Sequence, residues 1–244
     1  MAQLEDRYAR PGSVVRTGAQ VDEGLRAYML RVYNYMTGGV ALTGVVAYFT
    51  AQAAMSNPAV AQALYASPLK WVIMFAPLAF VFYLSFRVYK MSPGAAQIAF
   101  WLFAAVMGVS LSAIFLVFTG ASIAQVFFVT AAAFASLSIY GYTTQKDLSG
   151  WGSFLIMGVV GIIIAALLNL FLQSSGLSFA INVLGVLIFA GLTAYDTQQI
   201  KDGYYAIRGD AALVTKSAVM GALSLYLDFI NMFTSLLQLM GSRE

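Results

Sequence analysis

Along this chain, apolar residues gather in blocks of about twenty separated by short polar breaks, the pattern of helices crossing hydrocarbon rather than of amphipathic elements around a soluble core. The blocks fall at Val32 to Met55, Trp71 to Val88, Ala95 to Phe118, Ile123 to Tyr142, Gly150 to Phe171, Phe179 to Ile200 and Ser217 to Met240. A rise of about 1.5 Å per residue matches these lengths to a hydrocarbon layer of roughly 30 Å, so the pattern predicts an all-α integral membrane protein with seven transmembrane helices. The breaks carry turn chemistry, as at Ser56-Asn57-Pro58, Ser92-Pro93-Gly94, Thr119-Gly120 and Ser174-Ser175-Gly176. Short breaks make successive helices antiparallel. The Thr119 to Ser122 break alone separates the third span from the fourth, and losing it would reverse everything downstream.

Ahead of the first block, Met1 to Gln20 reads as a flexible tail and Val21 to Arg31 as a short interfacial helix. Residues 1–31 are therefore expected as a cytoplasmic tail and surface helix, and 32–244 as one seven-helix domain. The tail mixes acids with Arg7, Arg10, Arg16, Arg26 and Arg31 and has no apolar core, unlike a secretory signal. Basic residues stay preferentially in the cytoplasm. With the N-terminus inside, Arg87, Lys90, Lys146, Lys201, Arg208 and Lys216 join those five arginines, leaving only Lys70 and Arg243 outside. The expected topology thus has a cytoplasmic N-terminus and an external C-terminus. Gly108 with Ser112, and Gly158 with Gly161, are spaced for close helix packing, and Pro77 is expected to kink the second span.

Composition agrees about the solvent: 61% of the residues are hydrophobic and 9% charged, against roughly 25% charged in soluble domains. Mean hydropathy is +0.80. The chain has no Cys and no His, which excludes disulfides, thiolate chemistry and imidazole relays. Its net charge of +3 comes from dispersed basic residues that form no stripe, so nucleic acid is not an expected partner. An Ala-rich chain of this kind, without a eukaryotic sorting signal, fits a bacterial inner membrane.

Two acids lie inside apolar blocks, Asp196 and Asp228. An ionised Asp at a helix centre costs roughly 2.5–3.5 kcal/mol on insertion, so each should face the protein interior or water and find a partner. Thr193 and Gln199 share the Asp196 face at helical spacing, and Asn231 follows Asp228 by three residues. Two carboxyls that meet resist double ionisation, which makes the pair a pH-sensing element. With the spans as drawn, Asp228 lies roughly 16 Å and Asp196 about 6 Å from the cytoplasmic boundary. Contact then requires the sixth helix to continue toward Tyr205, the seventh to enter later, or substantial tilt. Arg87 ends the second span on the same side, where it either reaches an acid or snorkels to the headgroups.

GLTAYDTQQIK from Gly191 to Lys201, LYLDFINMFTSLLQLMG from Leu225 to Gly241 and SFRVYKMSP from Ser85 to Pro93 closely resemble the transmembrane Bax-inhibitor-motif family. The resemblance covers nearly everything after the tail. It implies a seven-helix fold with the last helix central and a role in ion homeostasis through a pH-sensitive calcium leak. The family's acidic pair falls on Asp196 and Asp228, and its latching arginine on Arg87. The long connector from Asp202 to Lys216 puts the spacing of the cytoplasmic gating elements in question.

The expected function is a calcium leak in which a protonated Asp196/Asp228 pair holds the cytoplasmic side closed. Two carboxylates suit calcium but are too few for a tight site, so calcium is expected as a weakly held transported ion and no cofactor is expected. The alternative is a non-conducting regulator that binds another membrane protein, such as a protease or secretion component. Enzymatic activity is not expected, because LYLDFIN lacks the glycine before Asp that marks intramembrane aspartyl proteases.

Overall fold

The computed structural model describes residues 18–243. Among them are seven helices long and apolar enough to cross a membrane: α1 (Gly18–Ser56), α2 (Leu69–Arg87), α3 (Pro93–Leu111), α4 (Gly120–Thr143), α5 (Ser149–Leu172), α6 (Ser175–Ile207) and α7 (Ala211–Met240). Several turn signals turn out to be N-caps, in which a side-chain oxygen satisfies an N–H that the first helical turn leaves without a partner. Ser92 accepts from the Ala95 N–H, Thr119 from Ser122 and Ser174 from Leu177, while Asn57 caps a four-residue turn before α2. Asp210 accepts from both Ala212 and Leu213 to start α7.

Three elements depart from the sequence reading. The expected surface helix and first span form one helix, Gly18–Ser56, while the tail residues 1–17 lie outside the described part. No Gly, Pro or cap interrupts Val21 to Val32 except Gly24, and Leu25, Tyr28, Met29 and Val32, spaced at i, i+3, i+4 and i+7, are all buried. Core packing thus carries the helix straight through the expected boundary. The third span breaks at Ser112-Ala113 before a final turn at Ile114–Val117. Ser112 Oγ donates to the Val109 carbonyl and pairs with Tyr65 OH at 2.7 Å, a local hydrogen bond that competes with the helix ladder. The connector expected from Asp202 to Lys216 shrinks to Arg208–Asp210, because α6 runs on to Ile207 and α7 starts at Ala211.

The last helix is central. More than half of α7's apolar window, 56%, is buried inside the bundle, against 28% or less for every other span. Tyr226 is fully buried, edge-on to Phe100 and Phe103 of α3, and its hydroxyl lies 2.6 Å from Thr43 of α1. Thr43 also donates to the Ala104 carbonyl, so one hydroxyl pair ties α1, α3 and α7 together. α5 is the opposite case, only 6% buried and packed chiefly on α6. Its outward Phe154, Ile164 and Phe171 are exposed, as hydrocarbon demands.

The fragile break at Thr119 is held by the chain's other end. The Thr119 N–H donates to the Ser242 carbonyl, the Ser242 N–H donates to Ser122 Oγ, and Phe118 is buried beside Gly241. Elsewhere a glycine sets helix separation: a Cβ on Gly141 of α4 would run into the Ala194 carbonyl of α6. Gly141→Leu is therefore expected to push α4 off α6 and destabilise the fold by about 1–3 kcal/mol, read as a lowered thermal midpoint in detergent. The same substitution at Gly161, where nothing stands within 4 Å, should leave the midpoint unchanged.

Candidate functional site

The site begins with a stripe on each of the last two helices. On α7, Ser217, Gly221, Ser224 and Asp228 follow one another at steps of four, three and four, and on α6 Asp196, Ile200, Gly203 and Ile207 do the same. Ser217, Gly221 and Ser224 on α7 and Gly203 on α6 leave a cavity of about 400 Å³ between the helices, lined also by Tyr28 of α1 and by Tyr89 just after α2. Ile207 and Gly203 lie toward the end of the bundle that carries Lys90, Lys146 and Arg208, and Asp196 and Ser224 lie deeper. Gly221 faces Ile200 so closely that a Cβ would sit 3.1 Å from its side chain.

Asp228 stands one turn beyond Ser224, 4% exposed. Its Oδ2 is buried with no hydrogen-bond partner. Asp196 lines the cavity, and no hydrogen bond joins its carboxyl to that of Asp228. The extension of the sixth helix past Tyr205, one of the conditions for bringing the acids together, is met; later entry of the seventh is not, since α7 starts earlier.

The other expected residues separate into those near the cavity and those away from it. Gln199 lines the cavity and donates to Ser149 Oγ at 3.2 Å. Thr193 is buried, with its hydroxyl donating to the Phe189 carbonyl of its own helix. Asn231 donates to the Leu227 carbonyl rather than to Asp228. Arg87 is exposed at the end of α2 and makes no hydrogen bond or ion pair with either acid. Its neighbour Tyr89 reaches the cavity instead, fixed there by Lys216 Nζ donating to the Tyr89 carbonyl at 3.0 Å.

Within YDTQQIK, nearly every residue has a separate task. Tyr195 packs on Gly152 of α5, Asp196 lines the cavity, and Thr197 shares a hydrogen bond with Ser138 of α4 at 3.0 Å. Gln198 accepts from the Leu148 N–H and donates to the Lys146 carbonyl, both at 2.8 Å, and so clamps the α4–α5 turn. Lys201 donates to the Tyr142 carbonyl at 3.0 Å and lies over the Tyr142 ring. These bonds fix α6 in rotation and depth, and with it the carboxyl of Asp196.

Sequence reasoning missed Tyr28, Tyr89, Ser217 and Ser224. The two serines carry a signal, since they share a face with Asp228 at i−11 and i−4. The tyrosines carry none, because their role comes from other helices folding against α6 and α7. Among the described residues no cluster of three metal-binding side chains occurs, so any ion at the pair would complete its shell with hydroxyls, carbonyls or water.

Known proteins agree with this architecture. The family model described as "Inhibitor of apoptosis-promoting Bax1" matches residues 25–244. A protein of Caulobacter vibrioides is 46% identical, with 97% of each chain covered. The inner membrane protein YbhL of Escherichia coli K12 is 43% identical over 98% of this chain and 100% of its own. Rickettsia prowazekii RP147 is 46% identical over 91% of this chain and 92% of its own. The chain is therefore an integral protein of the bacterial inner membrane and belongs to the Bax-inhibitor family.

Proposed function

We propose that this protein is a pH-sensitive cation leak, with calcium as the ion, gated where the cavity between α6 and α7 meets Asp196 and Asp228. The observation that carries this reading is the buried, unpartnered Oδ2 of Asp228, one turn beyond Ser224 on the helix that walls the cavity Asp196 lines. Two carboxyls side by side in a low-dielectric interior need compensating positive charge, which a proton or a cation can supply. The two compete for the same oxygens. In this reading two protons neutralise the two carboxyls and the bundle stays shut; as pH rises a proton leaves, the site gains negative charge, and a cation takes the proton's place.

Weak binding suits transport. A hard divalent cation takes six to eight oxygens in a tight site, and two carboxylates with Ser224 nearby offer far fewer, so an ion is released as readily as it enters. The acids exchange ions and protons and change no other covalent bond, so no enzymatic step is assigned to them. The end bearing Lys90, Lys146, Lys201 and Arg208 faces the cytoplasm in this reading, on the strength of the basic-residue bias. The gate then answers to cytoplasmic pH.

In proteoliposomes holding a calcium dye, flux should rise from mildly acidic to mildly alkaline pH on the side reached by the cavity mouth. Asp228→Asn and Asp196→Asn should each cut flux at alkaline pH at least about tenfold, equivalent to about 1.4 kcal/mol, and flatten the pH profile. Unchanged flux and profile in both variants would remove the proposal. Arg87→Gln tests the latch separately: a higher leak at acidic pH assigns Arg87 that role, and an unchanged one leaves closure to the acids alone. For orientation, a periplasm-dependent reporter fused after Glu244 should be active, and one inserted in the turn at Met91 inactive.

A further inference from the structure

Outside the aspartate site, the least closed seam of the bundle lies between α1 and α4. α1 packs extensively on α3 and α7, and α4 on α6 and α7, but α1 and α4 make little direct contact. A groove of about 570 Å³ occupies this seam at the basic end, lined by Met29, Leu30 and Tyr33 of α1 and by Phe134, Ala135 and Ile139 of α4. That volume falls within the roughly 300–1,000 Å³ typical of small-molecule sites. From Tyr142 at its mouth to Phe134 at its inner end the groove follows α4 for about 12 Å at 1.5 Å per residue.

The groove changes character along its length. Its inner walls are apolar and open to the hydrocarbon, with Leu30 and Ile139 exposed. Its floor carries the Tyr33 OH–Ser138 Oγ hydrogen bond at 2.5 Å, so those hydroxyls are already satisfied and leave the walls to an apolar guest. Its mouth carries the exposed Arg26 and the ring of Tyr142, over which Lys201 Nζ stands at 5.8 Å. The acids around this mouth are Glu23, one turn before Arg26, Asp202, which pairs with Lys201 at 3.9 Å, and Asp147, which shares a neighbouring pocket with Tyr142, and all three are exposed.

We infer that this groove is a site for one anionic glycerophospholipid, with its phosphate on Arg26 and an acyl chain laid along α4 toward Phe134. The charge pattern selects the class. Arg26 is the charged residue of the lining, its guanidinium offers forked donors to a phosphate oxygen pair, and basic pockets between helices on the cytoplasmic side are the usual seat of anionic headgroups. Hydrocarbon is the only medium along the groove's open side, so the chain of such a lipid enters without displacing water. A second apolar hollow of about 300 Å³ continues the seam farther along, between Gly44 of α1 and Gly120 of α4 with Phe229 of α7 behind, and gives a long chain somewhere to end.

The inference is independent of the leak and is tested by binding alone. Native mass spectrometry of the full chain, delipidated in detergent and offered dioleoyl phosphatidylglycerol or dioleoyl phosphatidylcholine, should show one retained phosphatidylglycerol and at least about fivefold preference for it. Arg26→Gln should abolish the preference, Ala135→Trp should remove retention of both lipids by filling the groove, and Lys70→Gln, the same charge change at the other end, should alter neither. Thermal midpoints near that of the unsubstituted protein show that the variants are folded. Water-soluble glycerol 3-phosphate should not compete. Equal retention of the two lipids with no effect of either groove substitution, competition by glycerol 3-phosphate, or a dimer that Ala135→Trp dissociates would each overturn the inference, the last by making the groove a contact between copies.

Discussion

A carboxyl at the centre of a membrane protein has to be paid for by everything around it, and Asp228 is that group here. It sits on the most buried helix of the bundle with one oxygen lacking a partner, where an unsatisfied polar group costs far more than it would near water. The arrangement of α7 follows from this constraint. Four helices, α1, α3, α4 and α6, pack around it, which keeps Asp228 from lipid, while small residues on one face, Ser217, Gly221 and Ser224, leave a cavity leading to it. A more exposed helix would place the acid in hydrocarbon.

The second intramembrane acid is held by a different device. Asp196 sits in a run of residues that reach α4, α5 and the α4–α5 turn through Thr197, Tyr195 and Gln198. Each bond is ordinary, worth about 1 kcal/mol net, but together they fix α6 against rotation. A helix free to rotate by one residue, roughly 100°, would turn Asp196 out of the cavity. Conservative changes at Gln198 or Thr197 therefore act on the position of Asp196 rather than on its chemistry.

The seven spans and their order were legible in the sequence because hydropathy reports the solvent directly, and Ser92, Thr119 and Ser174 marked helix starts because caps are local chemistry. Helix lengths were less legible. α1, α6 and α7 extend beyond their apolar blocks, and hydropathy stops at the membrane boundary while helical hydrogen bonding does not. That extension turned an expected loop from Asp202 to Lys216 into about three more helical turns and a tight connection at Arg208–Asp210. Both acids could be picked out in the sequence, as lone charges in apolar runs. Tyr28 and Tyr89 could not, since nothing local distinguishes a tyrosine at a cavity wall from one in an interfacial belt. The pinning of Thr119 by Ser242 was equally invisible, because it joins residues 123 positions apart.

The glycines explain why the bundle is tight in some places and open in one. Gly39 lets Phe100 of α3 close onto α1, Gly108 admits the Thr43 carbonyl, and Gly141 brings α4 against the Ala194 carbonyl of α6. These contacts commit α1 to α3 and α4 to α6. The two pairs meet where Tyr28 of α1 stacks on Tyr204 of α6, and farther along the gap between α1 and α4 is spanned by the Tyr33–Ser138 bond. The Ser138 hydroxyl is shared with Thr197, the residue after Asp196. The polar link across the gap therefore joins the α1–α4 seam to the helix that carries Asp196.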